Sequence, residues 1–466
     1  MAEACEAIEP RGEAGRPLRA LNAKLSPGPG RSASEVAAHQ RARIHEAMIE
    51  LVSEREYVAV TIRDLAQLAS VSTRTFYDRF GGKDECLLST YELVMRSMTE
   101  RVFIAQKDGR DWEEQVRLTF SSLAQQLANE PKAARLALVE AFAAGPMALE
   151  RMRRDGVMLE AMASAGFARA PDGIPVPPLV VKGIVAGARR VACARLLANR
   201  EQELPALSDE LMHWALSFRS EATSRLQLLD PRSPHAGTGP AGQGEGTAGE
   251  VNPQLLGDER ALILAATARL AASRGYGQLS VRDIRAAAGV SRKSLDAHFD
   301  GVTHCFLASL ELLIKRALMR ALRQGATAET WPAGLHRALL SFCTSVARDP
   351  AFAKLGFIEV FAPGTPGIRF RARLIVAVAD RVRRSAPPGK QPSELAAEAS
   401  VGAVLGILHH HIAAGRAGQL PRLAPILSFL MLAPAIGAPA AVDAIYEEQE
   451  QAGSYVGGEA GAVGVL

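Results

Sequence analysis

Residues 61–88 read TIRDLAQLASVSTRTFYDRFGGKDECLL, and residues 280–307 read SVRDIRAAAGVSRKSLDAHFDGVTHCFL. The two stretches align at an offset of 219 residues, and positions 41–87 are identical to positions 260–306 at 15 of 47 places. The same offset continues without a gap as far as residue 145. A fixed offset that extends far beyond one motif predicts an internal repeat, with one folded unit for each copy.

The composition favours helices. A chain of 466 residues has room for two domains of roughly 200 residues each. It is 48% hydrophobic, 22% charged and only 5% aromatic, with many Ala, Leu, Arg and Glu residues, so we predict an all-α protein. The net charge is only +4, which means that any contact with nucleic acid must come from a local basic surface.

The ends and the middle of the chain differ in composition from the two copies. Residues 1–36 are rich in Pro, Gly and charge without an apolar stretch, which indicates a disordered arm rather than a signal peptide. Residues 230–256 are a Gly- and Pro-rich linker. The predicted domains are an arm at 1–36, a first head at 37–90, a first body at 91–229, a linker at 230–256, a second head at 257–309, a second body at 310–447 and a flexible tail at 448–466.

Each copy carries the signals of two short, capped helices joined by a turn. Thr61 is followed three residues later by Asp64, a spacing that predicts an N-terminal capping box. The turn ASVS follows, and Ser72 is placed to cap the next helix. In the second copy Gly289 suits a left-handed turn and Ser291 is the equivalent cap. This order of elements is that of a helix-turn-helix.

The third helix of the first copy has an apolar and a polar face. Phe76 and Phe80 are four residues apart and are predicted to face the core, which leaves Thr73, Arg74 and Tyr77 outside. An exposed helix with such donors can read base edges in a major groove and hold phosphates. The candidate DNA-binding residues are Arg41, Arg43, Thr61, Ser72, Thr73, Arg74, Thr75, Tyr77, Arg79 and Lys83 in the first copy and Ser291, Arg292, Lys293 and His298 in the second.

The first stretch resembles the helix-turn-helix signature of the TetR family of transcriptional regulators. The core of that signature, V-S-x-x-T-x-Y-x-x-F-x-x-K, is matched by Val71, Ser72, Thr75, Tyr77, Phe80 and Lys83. The resemblance implies an all-α fold of two tandem TetR-like units, each with a three-helix head and a helical ligand-binding and dimerisation body. It also implies double-stranded operator DNA as a partner, and release from it by a small-molecule inducer. Because the family mostly represses, we expect a repressor.

The second copy departs from the signature. Leu295, Asp296 and Val302 stand where the first copy has Phe, Tyr and Lys, and a carboxylate facing DNA repels phosphate. The charge balance points the other way, because residues 260–306 carry +4 and residues 41–87 carry −1. We expect an altered or weakened DNA contact. The alternative is that only the first head binds DNA and the second repeat is a dimerisation or sensing module.

The resemblance to the TetR family also implies that the last helices of each body form the dimerisation surface. Gly183, Gly187, Gly402 and Gly406 would permit close helix approach in a four-helix interface. The linker is long enough for the two repeats to pair within one chain, with an extended reach of roughly 90 Å. An internal pseudo-dimer that reads an asymmetric operator and a homodimer with four heads therefore both remain open.

Nothing in the sequence predicts catalysis. A nucleophile with a base, a phosphate-binding loop and clustered metal ligands are all missing, so we expect no enzyme activity, cofactor or metal. The consecutive histidines 409–411 point about 100° apart on a helix. Glu140 and Glu359 recur at the repeat offset and are interpreted as structural. The five cysteines (Cys5, Cys86, Cys193, Cys305 and Cys343) are far apart and are predicted to be reduced, buried thiols.

Two further expectations concern the ligand and the location. Positions that line a ligand pocket in such bodies carry no sequence signature, so the pocket stays unknown. The longest apolar region, around LAPILSFLMLAPAIGAPAAV, is interrupted by prolines, which favours an interface helix over a membrane span. The sequence as a whole predicts a cytoplasmic, ligand-responsive DNA-binding regulator that does not contact a membrane.

Overall fold

A computed structural model describes residues 32–141, 146–227 and 258–460. Within these ranges the regular structure is helical and there is no β-strand, which confirms the predicted all-α class. Most of the predicted arm and the whole of the predicted linker lie outside the described residues, as do the last six residues of the tail.

The helices of the first repeat follow the order expected for a head and a body. In its described residues they are α1 (Ala33–Glu54), α2 (Ile62–Leu68), α3 (Thr73–Tyr77), α4 (Lys83–Lys107), α5 (Trp112–Asn129), α6 (Pro131–Leu138), α7 (Pro146–Ala168), α8 (Pro178–Leu197), α9 (Leu204–Leu216) and α10 (Thr223–Gln227). Short 3-10 helices cover Tyr57–Ala59 and Glu201–Glu203.

The second repeat has a corresponding series. Its described helices are α11 (Glu259–Arg274), α12 (Val281–Ala288), α13 (Arg292–His298), α14 (Val302–Gly325), α15 (Trp331–Arg348), α16 (Pro350–Phe357), α17 (Thr365–Ser385), α18 (Glu394–Ala413), α19 (Ala424–Ile436) and α20 (Ala438–Ala460). Three 3-10 helices cover Tyr276–Gln278, Glu359–Phe361 and Ala417–Leu423.

Helix α1 begins earlier than the sequence indicated. Ser32 accepts a hydrogen bond from the backbone of Glu35, and the Glu35 carboxylate accepts one from the backbone of Ser32, so the two form a capping box. Residues 33–36, which the sequence placed in the disordered arm, are therefore helical.

The described residues divide into two compact units whose borders differ from those of the repeats. The first unit runs to Gly156 and includes Ala192–Met212. The second comprises Val157–Val191 and the chain from His213 onwards. The second unit thus contains helical segments of both repeats, because α8 belongs partly to it and α18 belongs to it entirely.

The core of the first unit forms around the head. Ile44 and Met48 from α1 are fully buried with Leu65 from α2 and Phe76 from α3. Buried apolar stripes hold the three helices together, and α2 and α3, with seven and five residues, are too short to be stable alone in water. In the second unit the equivalent core contains Ile263, Ile284, Leu295 and Phe299.

Helices from the two repeats also pack against each other inside the second unit. A Cβ added to Gly187 of α8 would lie 2.5 Å from the carbonyl oxygen of Ala399 in α18. The indole Nε1 of Trp214 donates to Ser400 Oγ at 3.0 Å. The predicted close approach at the small residues is confirmed by this geometry, because only glycine leaves room for the facing backbone.

A buried ion pair lies at the same contact. Arg190 Nη2 of α8 is 3.0 Å from Glu398 Oε1 of α18, and the two side chains are only 7% and 10% exposed. Phe218 of the first repeat stacks against Phe429 of α19 with ring centroids 5.8 Å apart. Polar and aromatic contacts therefore accompany the glycine packing.

One described segment, Ala417–Ile436, is long and apolar enough by composition to span a membrane. Its most apolar window is 67% buried inside the protein, as in a core helix, so it is weak evidence for a span.

Candidate nucleic-acid interface

Each of the two helices of the helix-turn-helix begins with a side-chain cap. Thr61 and Asp64 form the predicted capping box at the start of α2. The Ser72 hydroxyl accepts the backbone N–H of Thr75 at 2.9 Å and so caps α3. Between them Ser70 has a φ of 50°, the left-handed conformation that Gly289 adopts at 68° in the second copy. The predicted helix-turn-helix geometry is confirmed in both repeats.

The inner face of α3 is fixed by aromatic packing. Phe76 and Phe80 are 0% and 1% exposed, as predicted, and their ring centroids are 5.7 Å apart. The Arg41 guanidinium lies 4.7 Å from the centre of the Phe80 ring. In the second head Arg260 lies over Phe299 in the equivalent way, at 5.5 Å. This packing sets the rotation of α3 about its axis.

The outer face of α3 presents the side chains predicted to read bases. Thr73 and Arg74 are exposed, and Tyr77 is 58% exposed. Within the described part of the chain, the side chains of Thr73 and Arg74 form no hydrogen bond or ion pair. Their donors are consequently available to a partner.

Three other predicted contact residues use their guanidinium groups inside the head. Arg43 donates to the carbonyl oxygens of Ala69 and Ser70, the latter at 2.8 Å. Arg79 donates through Nε and Nη2 to Gln40 Oε1 at 3.1 and 2.9 Å. Arg41 Nη1 donates to the carbonyl of Arg79 at 3.3 Å. These side chains connect α1 to the ends of α2 and α3.

Lys83 is also turned into the head. Its ammonium donates to the carbonyl oxygens of Tyr57 at 3.1 Å and Val60 at 2.9 Å, and it lies 4.3 Å from the centre of the Tyr57 ring. Partial burial lowers the pKa of Lys83 from its ordinary value. The Tyr57 hydroxyl donates to Asp84, so this group of residues holds the loop before α2 against the start of α4.

The outer face of α13 in the second head is rearranged. Arg292 Nε donates to Asp296 Oδ2 at 3.2 Å, so the carboxylate in the position of Tyr77 is paired with a cation of the same helix. Ser291 caps the helix, while Lys293 and His298 are exposed. The pairing reduces the repulsion expected from Asp296, but it also engages one of the predicted contact residues.

Two exposed arginines were not among the DNA-binding residues predicted from the sequence. Arg63 and Arg282 lie in the first turns of α2 and α12 and are both exposed. A helix N-terminus attracts anions, and an arginine beside it adds a phosphate-binding group. The sequence contained a signal for them, because both belong to the R-D dipeptide that is identical in the two copies.

The histidine run is engaged in hydrogen bonds with its own neighbourhood. His409 Nδ1 is 2.7 Å from the carbonyl oxygen of Phe357, and burial lowers the pKa of His409 to about 4. His411 Nδ1 lies 3.0 Å from the Ile407 carbonyl, and His410 Nε2 lies 3.2 Å from Arg416 Nη2. Among the described residues, no group of three or more His, Cys, Asp or Glu side chains could hold a metal ion.

The repeated glutamates have structural partners. Glu359 Oε2 accepts the backbone N–H of Tyr276 at 2.8 Å, which connects the second body to its head. Glu140 is 2% exposed and lies 3.6 Å from Arg135. The structural interpretation of both residues is supported by these contacts.

The described cysteines are free thiols. Cys86, Cys305 and Cys343 are buried, and burial raises their thiol pKa values to about 12, 11 and 12. Cys193 is only half-buried, and Cys5 lies outside the described residues. High thiol pKa values disfavour the reactive thiolate, in agreement with a core role.

Comparison with known families agrees with the two heads. The model of the bacterial regulatory proteins of the tetR family matches residues 44–90 and residues 263–308. The chain therefore contains two TetR-type helix-turn-helix domains. Its two TetR-type units stand in tandem, because each match covers the helix-turn-helix of one repeat and the start of the following long helix.

Solved structures resemble parts of this chain. The fatty acid degradation regulator FadR from Bacillus halodurans is 16% identical, covers 41% of this chain and 97% of its own, and has a TM-score of 0.36. The transcriptional regulator FadR from Bacillus subtilis in complex with stearoyl-CoA is 18% identical, with 38% and 97% coverage and a TM-score of 0.34. No curated protein matches the chain significantly.

Proposed function

We propose that this TetR-family protein is a cytoplasmic, non-enzymatic transcriptional repressor that binds operator DNA chiefly through α3. The observation that carries the proposal is the exposed face formed by Thr73, Arg74 and Tyr77, which stands on a helix anchored from behind by Phe76 and Phe80. A rigid helix with available donors on its outer face meets the requirement for reading a major groove.

Each exposed residue suits a particular contact. The Arg74 guanidinium can donate two hydrogen bonds to a guanine edge, and Thr73 can reach a base or a thymine methyl. Tyr77, with Thr61 and Arg63 at the start of α2, suits phosphate oxygens. Specific binding would therefore depend most on Arg74, and the phosphate contacts would set the salt dependence.

Arg43 and Lys83 are proposed as positioning residues rather than as phosphate contacts. Their donors already bind carbonyl oxygens within the head, and moving them to DNA would leave those carbonyls without partners. Their loss should weaken DNA binding by loosening α3, with little change in salt dependence.

The second head is proposed to contact DNA in an altered and weaker way. Lys293, His298 and Arg282 remain exposed there, but the pair between Arg292 and Asp296 leaves less net positive charge on α13. The alternative, in which only the first head binds DNA, predicts that substitutions on α13 have no effect.

An internal pseudo-dimer is proposed over a homodimer of the whole chain. The packing of α8 against α18 at Gly187, and the bond from Trp214 to Ser400, support this choice, because they place helices of both repeats in one interface. Two unlike heads in one chain then favour an asymmetric operator with half-sites about 34 to 36 Å apart. A small-molecule inducer would act by favouring a body conformation whose heads do not fit that spacing.

The test is capture of genomic fragments by the purified chain, followed by salt-titrated binding of the recovered site. Arg74→Ala with Tyr77→Ala should weaken binding by at least about tenfold and flatten the salt slope. Lys83→Met should weaken binding while leaving the slope unchanged. The corresponding double variant of the second head is Arg292→Ala with Lys293→Ala on α13.

The outcomes separate the alternatives. Weakening by both double variants supports two unlike half-sites, and weakening by the first alone supports a single DNA-binding head. Recovery of no specific site by the wild-type chain would contradict the regulator proposal itself. Light scattering decides between a monomeric pseudo-dimer and a homodimer.

A further inference from the structure

A cleft of about 1100 Å³ lies in the first unit between the head and the body. Helix α1 and the end of α2 form its head side, and α5 with the start of α6 forms its body side. Its volume lies slightly above the range of about 300–1,000 Å³ that is typical of sites for small organic molecules, so such a molecule can fit. A molecule bound in the cleft would therefore contact both the head and the body of the first repeat.

An unpaired hydrogen-bond acceptor lies in the lining of this cleft. Gln126 is only 7% exposed, and its amide Nε2 donates to Ser122 Oγ at 3.1 Å. Its carbonyl Oε1 is buried and has no hydrogen-bond partner among the described residues. Buried acceptors are nearly always satisfied in folded proteins, so this carbonyl indicates a place for a donor that binds from the cleft.

The arginine and lysine side chains that line the cleft have partners in the same unit. Lys132 forms an ion pair with Glu50 across the two walls. Arg101 donates to both carboxylate oxygens of Glu130, at 2.7 and 3.0 Å. Arg43 is engaged by the carbonyls at the end of α2. Because a charged ligand would find no unpaired counter-charge among these groups, the lining favours a neutral molecule.

Apolar surface completes the lining. Ala47 and Ile49 of α1 and Ala133 of α6 belong to the lining, and Leu68 of α2 adds exposed apolar area. An amphipathic molecule would cover this surface while presenting its donor to Gln126.

The second repeat carries a reduced version of the same feature. A groove of about 320 Å³ in the second unit is lined by residues at the equivalent positions of α14 and α15. There Ser345 stands in the place of Gln126, and Arg348 in the place of Asn129. The large neutral cleft with its unpaired carbonyl is thus a feature of the first repeat.

We propose that the cleft binds a neutral small molecule with an apolar body and one O–H or N–H donor, and that its occupancy alters the orientation of α3. Arg43 provides the connection, since it lines the cleft and holds the carbonyls of Ala69 and Ser70. Those residues form the turn that leads to Ser72 and the start of α3. The regulatory part rests on the proposed function, whereas the binding part does not.

Binding is tested by 19F NMR titration with 4-fluorophenol, a neutral ring with one hydroxyl donor at about pH 7. The control ligand is 4-fluorobenzoate, which has a similar ring but carries a charge and no donor. Wild-type protein should broaden the 4-fluorophenol line saturably and bind 4-fluorobenzoate at least tenfold more weakly. Gln126→Leu should weaken 4-fluorophenol binding at least tenfold, and the matched Ser345→Ala variant should leave it unchanged.

A second variant tests the cleft without altering a buried residue. Gln125 is exposed at the edge of the cleft, so Gln125→Cys alkylated with N-ethylmaleimide should block 4-fluorophenol. Thr344→Cys occupies the equivalent position in the second repeat and should not block it. Wild-type protein treated with the same reagent is included because Cys193 is only half-buried.

The regulatory part is tested with the operator recovered above. Alkylation of Gln125→Cys should weaken operator binding about tenfold, and alkylation of Thr344→Cys should not change it. Equal 4-fluorophenol binding by wild type and Gln126→Leu would overturn the site, and equal binding of 4-fluorobenzoate would overturn the neutral-donor class. Unchanged operator binding after alkylation overturns the regulatory part. If unmodified protein binds no operator, the proposed function fails while the 19F result still judges the site.

Discussion

Substitution of Gly187 by alanine should destabilise the second unit. The added methyl would lie 2.5 Å from the Ala399 carbonyl oxygen and would also meet the Trp214 ring. Neither a backbone carbonyl in the middle of α18 nor a buried indole can move without disturbing its own packing. Overpacking of this kind costs about 1–3 kcal/mol, and the gain in helix propensity from Gly to Ala returns about 1 kcal/mol. We therefore expect a net loss of up to about 2 kcal/mol in the free energy of unfolding, and a loss of about 1–3 kcal/mol relative to a Gly-to-Ala change that meets no steric clash.

The matched control is Gly166→Ala in α7, which lies in the same unit. A Cβ added there meets no atom within 4 Å. This variant keeps the propensity gain without the steric cost, so its unfolding free energy should rise by up to about 1 kcal/mol. The two variants share the same chemical change and differ in the space that surrounds it.

Urea unfolding followed by tryptophan fluorescence measures the effect. A background of Trp112→Phe and Trp331→Phe leaves Trp214 as the reporter, and Trp214 is 3% exposed beside the substituted position. The urea midpoint should fall for Gly187→Ala and should stay or rise for Gly166→Ala. If Gly187→Ala has the midpoint of the control, the close packing of α8 against α18 is refuted.

Three further predictions concern single buried groups. Glu398→Ala should cost about 3–5 kcal/mol because it leaves Arg190 buried without its carboxylate, whereas Arg190→Met with Glu398→Leu should recover most of the loss in urea unfolding. Burial lowers the pKa of His45 from 6.5 to about 4, so the unfolded chain takes up this proton first. Stability should fall as pH drops from 6.5 towards 4, and His45→Asn should make the slope shallower in unfolding experiments across that range. Glu359→Ala should cost about 1–3 kcal/mol and speed hydrogen exchange at the Tyr276 N–H; unchanged exchange would contradict the bond at 2.8 Å.

Much of the head was predictable from the sequence because its decisive interactions are local. The bonds of Thr61 to Asp64 and of Ser72 to Thr75 join residues three positions apart, so a short motif contains both partners. The burial of Phe76 and Phe80 follows from their four-residue spacing on one helical face. Both partners of each of these interactions lie within a few residues of each other in the sequence.

The roles of charged side chains were less predictable. Arg43 and Lys83 were candidates for phosphate contact on the basis of charge and motif, but the fold brings carbonyl oxygens of α2 and of the loop after α1 within their reach. Arg292 and Asp296 are four residues apart on one helix, a spacing that permits an ion pair, and the structure shows that they form one. The sequence shows which groups a charged side chain is able to bind, but the fold determines which of those groups lie within its reach.

The sequence by itself determined the all-α class, the division into two copies and the position of each helix-turn-helix, because periodicity, capping and repetition are encoded along the chain. Only the tertiary structure decided that α8 packs on α18 at Gly187, and that Gln126 lies beside a wide cleft while Ser345 lies beside a narrow groove. These features depend on contacts between residues far apart in the chain. Local spacing specifies which face of a helix is apolar, but the long-range packing specifies which helix covers it.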